Sequence, residues 1–314
     1  MSMSSMTNES SRSMPYSSRT PEEALAWQRD LRAKLFSILK MDDLLSREAA
    51  AAFSTETMSS EKRGNYALRG QTIDSTPGRR IEITATVPTN MKGPFPAVVA
   101  VDGHSGTRQS CYEPGSNRAY AHVLAEKGYV TVSTRISQHD VQDESRILMG
   151  ERLWDLMRCV DFLVSLDEVD SQRIGCAGLS LGGEMTMWLA AMDERIQATI
   201  SAGFLTRMDQ LEAGHCMCWK FPGLRNLVDF TDIYSLIAPR ALLCQNGLKE
   251  DPSWFPVSIA REAIEEIKVM YADMECPQNV SLVAHDGGHE IDLPSLLSFF
   301  DQHLQFPAHA GKRQ

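Results

Sequence analysis

The feature that most constrains this chain is a set of short, continuously apolar runs separated by helical patterns. Phe95-Pro96-Ala97-Val98-Val99-Ala100-Val101 is apolar at every position, as are most of Tyr129 to Thr134, Ile174 to Ala177, Ile196 to Ala202 and Ala241 to Gln245. A strand without polar alternation is buried on both faces, which is the condition of a strand inside a parallel sheet covered by helices. Between the runs lie helix-period segments. Ala119 to Glu126 ends near Gly128, and Leu153, Met157, Val160 and Val164 share one face. Gly182 to Ala191 forms another helix, Ile259, Ala263, Ile267 and Met270 mark the next, and Leu296, Phe299, Phe300 and Leu304 the last. Strand and helix therefore alternate from about 95 to 305, with a further strand at Val280 to Ala284. This order predicts an α/β fold with a mostly parallel twisted sheet and helices on both faces.

Ahead of that region, Tyr66 to Asp74 and Arg80 to Val87 alternate apolar and polar residues around Thr76-Pro77-Gly78, the pattern of an antiparallel hairpin. Further upstream, Thr20-Pro21-Glu22-Glu23 reads as a capping box with proline at the first helical position. Trp27, Leu31, Leu35 and Ile38 then fall on one face. The expectation is a helix packed on the main domain, with a mobile lid as the alternative. Met41 to Lys62 is expected to hold a short helix and a linker. The organisation predicted is a disordered, Ser/Met-rich tail at 1–20, a helical segment at 21–62 and one domain at 63–308. An insertion at about 204–232 interrupts the alternation, and its Trp219 and Phe221 are candidate walls of a substrate pocket.

The chemistry centres on Gly178-Leu179-Ser180-Leu181-Gly182, which follows one buried strand and opens a helix. This G-x-S-x-G pattern in strand–turn–helix context is that of a nucleophile elbow, with Ser180 as the nucleophile. A serine needs a base that titrates near neutrality. Among eight histidines, His289 stands in the loop Asp286-Gly287-Gly288-His289-Glu290 after the last strand. His285 is second choice for the base, and His303 falls on the last helix. The orienting carboxylate is expected after the preceding strand, where Asp251 is favoured and Glu250 is the alternative. An oxyanion hole needs two backbone N–H donors. Leu181 supplies one, and the loop Asp102-Gly103-His104-Ser105-Gly106 supplies the other, from His104. Arg135, at a strand end, is a candidate for meeting a substrate carboxylate or for a structural ion pair.

Composition excludes several classes. A net charge of −10 argues against nucleic acid or an anionic membrane as partner. No run of 18 apolar residues is present, so no transmembrane helix is expected. The first 20 residues lack the apolar core of a secretory signal. Seven cysteines, an odd number with several in apolar segments, suggest reduced thiols and a cytoplasmic setting. His215-Cys216-Met217-Cys218 has no second ligand pair at zinc-finger spacing, so no metal is expected, and no cofactor.

Together these motifs resemble the α/β-hydrolase superfamily, and within it the acetylxylan-esterase-like and dienelactone-hydrolase-like serine esterases. The resemblance runs from about Tyr66 to Leu304. It rests on Trp154-Asp155, on Glu168-Val169-Asp170-Ser171-Gln172-Arg173-Ile174-Gly175 leading into the elbow, on His215-Cys216 with Phe221-Pro222-Gly223-Leu224, on Leu236-Ile237-Ala238-Pro239-Arg240, and on Gly287-Gly288-His289-Glu290. It implies a Ser180–Asp251–His289 triad and a small-molecule substrate, a small-acyl or carbohydrate ester. Two departures from the family pattern stand out. Asp102 occupies a place where many relatives carry histidine, and the spacing from Gly247 to Asp251 is one residue longer than the family pattern, which keeps Glu250 in consideration. A serine in place of the cysteine of dienelactone hydrolases points to ordinary esters. The rival readings are a serine peptidase of the prolyl-oligopeptidase type, for whose propeller 314 residues leave no room, and a non-catalytic binding protein on the same fold. The oligomeric state is left open.

Overall fold

The computed structural model describes residues 12–45, 54–116 and 118–305, without the side chain of Gln305. The expectations for 1–11, 46–53 and 306–308 lie outside the described residues. Among the described residues nine strands form one sheet: β1 (Glu56–Arg63), β2 (Tyr66–Asp74), β3 (Arg80–Pro88), β4 (Phe95–Val101), β5 (Val130–Thr134), β6 (Val169–Leu179), β7 (Ile196–Ala202), β8 (Ala241–Gly247) and β9 (Val280–His285). Their spatial order is β1-β2-β3-β5-β4-β6-β7-β8-β9. Pairing is antiparallel from β1 to β5 and parallel from β5 through β4 to β9. The helices are α1 (Pro21–Ile38), α2 (Asp42–Leu45), α3 (Tyr120–Glu126), α4 (Leu148–Val164), α5 (Leu181–Met192), α6 (Met208–Glu212), α7 (Leu224–Leu227), α8 (Phe230–Ser235), α9 (Val257–Asp273) and α10 (Leu293–Phe300).

The continuous apolar runs are explained by two separate cores, one on each face of the sheet. In β4, Ala97, Val99 and Val101 join the core beneath α1, α4, α5, α8 and α9, while Val98 and Ala100 join the core beneath α3 and α10. Both faces being covered, period-two alternation has no polar side to record. The hairpin forms where its alternation placed it, with Asp74 paired to Arg80 and Gly78 at φ 79° in the turn.

The N-terminal segment differs from expectation in two ways. Residues 12–20 are not a loose tail where they are described. The Arg12 guanidinium and the Tyr16 N–H both bond to the Asp232 carboxylate, and the Tyr16 hydroxyl donates to Asp273 at 2.7 Å. Glu56 to Arg63, expected to be linker, is a strand. It lies at the sheet edge, exposed along nearly its whole length, so no burial pattern marks it, and its charges suit an unprotected edge.

Helix α1 carries the predicted capping box, with Thr20 accepting from Glu23 N–H and the Glu23 carboxylate accepting from Thr20 N–H. It is fastened down along its length. Leu31 and Leu35 are fully buried. Gln28 donates to the Ser235 and Ala238 carbonyls, and Arg32 donates to those of Ala191 and Leu236. Several of those carbonyls lie at the ends of α5 and α8, where the helical ladder leaves acceptors free. These contacts describe a packed helix.

Candidate active site

Strand β6 ends at Leu179 and α5 begins at Leu181, so Ser180 alone makes the turn. Its backbone sits at φ 62°, ψ −123°, a region that costs a non-glycine residue about 1–3 kcal/mol. The surroundings impose that geometry. Ser180 N–H donates to the Ala202 carbonyl at 2.9 Å, and the Ser180 carbonyl accepts from Glu184 N–H at 2.9 Å. The flanking glycines are there for space. A Cβ on Gly178 would run into the Gly182 carbonyl, and one on Gly182 into the Val101 carbonyl. Beneath the turn, the buried Tyr120 hydroxyl bonds to the carbonyls of Val101 and Ala177, bracing the ends of β4 and β6.

The loop after β9 is knitted to the loop after β8. Leu248 N–H donates to the His285 carbonyl at 2.8 Å and Lys249 N–H to the Gly287 carbonyl at 3.0 Å. Gln245 bridges to Asp292 through both its amide atoms. This frame holds the His289 ring over Gly203, where a Cβ would lie 3.0 Å from the ring. Gly203 follows Ala202, the acceptor for Ser180 N–H, so the imidazole stands beside the elbow. Phe255 stacks on His289 with centroids 5.7 Å apart, and Trp254 meets it edge-on at 5.6 Å.

His289 Nδ1–H donates to Glu250 Oε2 at 2.9 Å. Glu250 is buried, with its side chain 2% exposed. Asp251, the carboxylate favoured from sequence, does not take this place. Its Oδ1 accepts from Ser253 N–H and from the Ser253 hydroxyl, and those bonds hold its pKa below the ordinary range. The reason is local. An aspartate two residues before a serine closes a tight side-chain turn, and that turn points its carboxylate to solvent. His285 Nδ1 accepts from Gly287 N–H at 3.2 Å and so serves the loop itself. His303 packs on Phe299 in the turn after α10.

On the other side of Ser180, Gly103 comes close enough that its Cβ would touch the Leu179 carbonyl and Ser180 Cβ. The buried Asp102 carboxylate accepts from Gly103 N–H at 2.7 Å. Gly106 N–H returns to the Gly103 carbonyl at 2.9 Å, closing a turn over 103–106. That turn bond does not use His104 N–H. Leu181 N–H, at the first position of α5, belongs to the helix's free donors.

The expected pocket residues are placed differently. Trp219 is 1% exposed and packs edge-on against Phe230, and Phe221 packs against Trp188. Both are core residues that anchor the insertion, because the aromatic side chains had more apolar area to bury inward than to offer a ligand. Arg135 is exposed, with its Nε donating to the Ser137 hydroxyl. It lines a cleft of about 510 Å³ with Arg79, Arg108, Glu82 and Asp155, which does not include Ser180 or His289.

Side chains from three separate stretches of sequence meet at the loop after β4. One ligand atom from each of His104, His139, Cys216 and Cys218 lies within 4.8 Å of the others. His104 Nε2 is 3.2 Å from Cys218 Sγ, and His139 Nε2 is 3.4 Å from Cys216 Sγ. Burial, with positive neighbours behind it, lowers the pKa of His104 to about 4. Burial also lowers that of His215, and raises that of Glu184, in the first turn of α5, to about 8. The sequence showed the Cys-x-Cys pair but not its partners, since His104 and His139 lie on loops after two other strands.

The chain is similar to YtaP of Bacillus subtilis (strain 168), 23% identical over 82% of this chain and 92% of that protein. Among solved structures it resembles a glucuronoyl esterase from Solibacter usitatus, with a TM-score of 0.67 and 16% identity over 88% of this chain and 93% of that one. It also resembles an acetyl xylan esterase from Paenibacillus sp. R4, with a TM-score of 0.60 and 16% identity over 93% and 98% of the two chains. These likenesses show the α/β-hydrolase fold. Residues 46–210, more than half the chain, match the acetyl xylan esterase (AXE1) family, and the protein belongs to that family of ester hydrolases.

Proposed function

We propose that the chain hydrolyses acetyl and other small-acyl esters of carbohydrates through a Ser180–His289–Glu250 triad. The observation that carries this reading is the strained backbone of Ser180 at a strand–helix junction, beside an imidazole whose far nitrogen is bonded to a buried carboxylate. In the reaction, His289 Nε2 takes the hydroxyl proton as Ser180 Oγ attacks the ester carbonyl. Glu250 holds the imidazole in the tautomer with Nδ1–H and stabilises the imidazolium that forms. Leu181 N–H and His104 N–H receive the oxyanion. Asp102 supports that assignment, because its carboxylate already occupies Gly103 N–H and leaves the next amide in the loop for substrate. His289 then protonates the leaving alcohol, and water attacks the acyl-enzyme by the reverse proton path.

The seven free thiols support a reducing compartment such as the cytoplasm. Among the described residues, no helix is long and apolar enough to cross a membrane.

Ser180→Ala is expected to lower kcat on 4-nitrophenyl acetate by about 10⁴–10⁶-fold while leaving the far-UV circular dichroism unchanged. Turnover near that of the unsubstituted chain would remove Ser180 from the mechanism. A series of acyl chain lengths and acetylated xylo-oligosaccharides then tests the substrate class, with acetyl esters expected to have the highest kcat/KM.

A further inference from the structure

We propose that His104, His139, Cys216 and Cys218 form a structural zinc site that clamps the insertion after β7 to the oxyanion loop. The four residues come from three chain segments: the turn after β4, the loop after β5 and the insertion. A tetrahedral zinc ion with Zn–N of about 2.0–2.1 Å and Zn–S of about 2.3 Å requires neighbouring N and S ligands about 3.5 Å apart. The two N···S separations here are 3.2 and 3.4 Å, and all four ligand atoms lie within 4.8 Å of one another. In both pairs it is Nε2 of the imidazole that faces sulfur, leaving Nδ1 away from the centre.

The donor set selects the ion. Two thiolates and two neutral imidazoles are the borderline-soft set that zinc takes, and two thiolates cancel the ion's double charge inside a half-buried site. Arg152 backs the Cys218 ligand. Its Nη1 lies 3.4 Å from Cys218 Sγ, and its Nη2 is tied to the Gln138 carbonyl. An outer guanidinium of this kind orients a ligand and stabilises its charge. His139 is exposed, which leaves the ion a route in from solvent. Four protein ligands leave no open position for water, so the centre holds structure and does not activate a nucleophile. Its consequence is positional. His104 carries the proposed oxyanion N–H, and coordination at its Nε2 would fix the loop that presents it.

The test uses the full chain, stripped by chelator under reducing conditions and then loaded with zinc or cobalt(II). After gel filtration about one zinc per chain is expected, with about two protons released per ion as the thiols ionise. Cobalt should show a thiolate-to-metal charge-transfer band together with the intense visible bands of a tetrahedral centre. Cys218→Ser and His139→Ala should each cut retained metal at least about tenfold, while Cys276→Ser keeps it. Ser180→Ala protein should load like the unsubstituted chain, which separates this inference from the serine mechanism. Failure of the unsubstituted chain to retain metal overturns the site. So does a cobalt spectrum without the thiolate band, or one unchanged by Cys218→Ser. The wild-type cobalt spectrum needs no variant to fold, so it decides alone if a variant aggregates.

Discussion

Two adjacent carboxylates, Glu250 and Asp251, met opposite fates. Both follow the same strand, and one-dimensional spacing does not separate them. The loop conformation does, since it buries Glu250 against His289 and lets Ser253 capture Asp251. Glu250→Gln is expected to lower kcat by about 10²–10⁴-fold, because an amide cannot stabilise the imidazolium and can present the wrong tautomer partner. Asp251→Asn keeps the Oδ1 acceptor of that exposed turn and removes only its charge, so it should alter kcat by no more than about twofold. Kinetics of the two variants on one activated ester check the assignment, and the reverse order would return the acid to Asp251. Ser180 and His289 could be picked out as candidates because their signals are local: glycines around a serine, and glycines before a histidine at the end of a strand.

At the scale of elements, the buried strands were readable and the edge strand was not. A strand covered on both faces writes apolar residues at every position, whereas β1 at the sheet edge leaves no such record. Helix α1 was readable from its capping box and its apolar face, but where that face packs came only from the fold. Its buried Leu31 joins the same core as α5, α8 and α9. Leu31→Ala should therefore destabilise the whole domain by about 2–5 kcal/mol in urea unfolding, as a core cavity does. A loss below about 0.5 kcal/mol would instead describe a detachable helix. The insertion taught the opposite lesson. Its aromatic residues suggested a pocket wall, yet Trp219 and Phe221 turn inward and root the insertion in the core.

At the scale of the molecule, the antiparallel hairpin is tied to the parallel layer through a buried charge. Asp155 on α4 receives hydrogen bonds from Ser75 and Arg79 in the turn between β2 and β3. Burial raises its pKa from 3.8 to about 6, and the Arg79 guanidinium only partly offsets that. From about pH 4 to 6 the folded chain keeps a proton that the unfolded chain has lost. Stability from this group is therefore full below pH 4 and declines as pH rises through 6, by at most about 1.4 kcal/mol per unit. Relative to Asp155→Asn, the unsubstituted chain should lose unfolding free energy between pH 4 and pH 7. Urea titrations of both proteins at the two values check the sign, and an unchanged difference would mean Asp155 ionises at its ordinary pKa.

The sequence by itself determined what is written in neighbouring residues: the sheet class, from strands apolar at every position; the elbow, from glycines that no side chain could replace; and the capped first helix. The tertiary structure alone decided what depends on which loops converge. It chose Glu250 over Asp251, sent Trp219 and Phe221 inward, and gathered His104, His139, Cys216 and Cys218 from three segments. The physical reason is range. Backbone conformation and face periodicity are set within a few residues, whereas the meeting of side chains 39, 77 or 114 positions apart is set by the order of strands in the sheet.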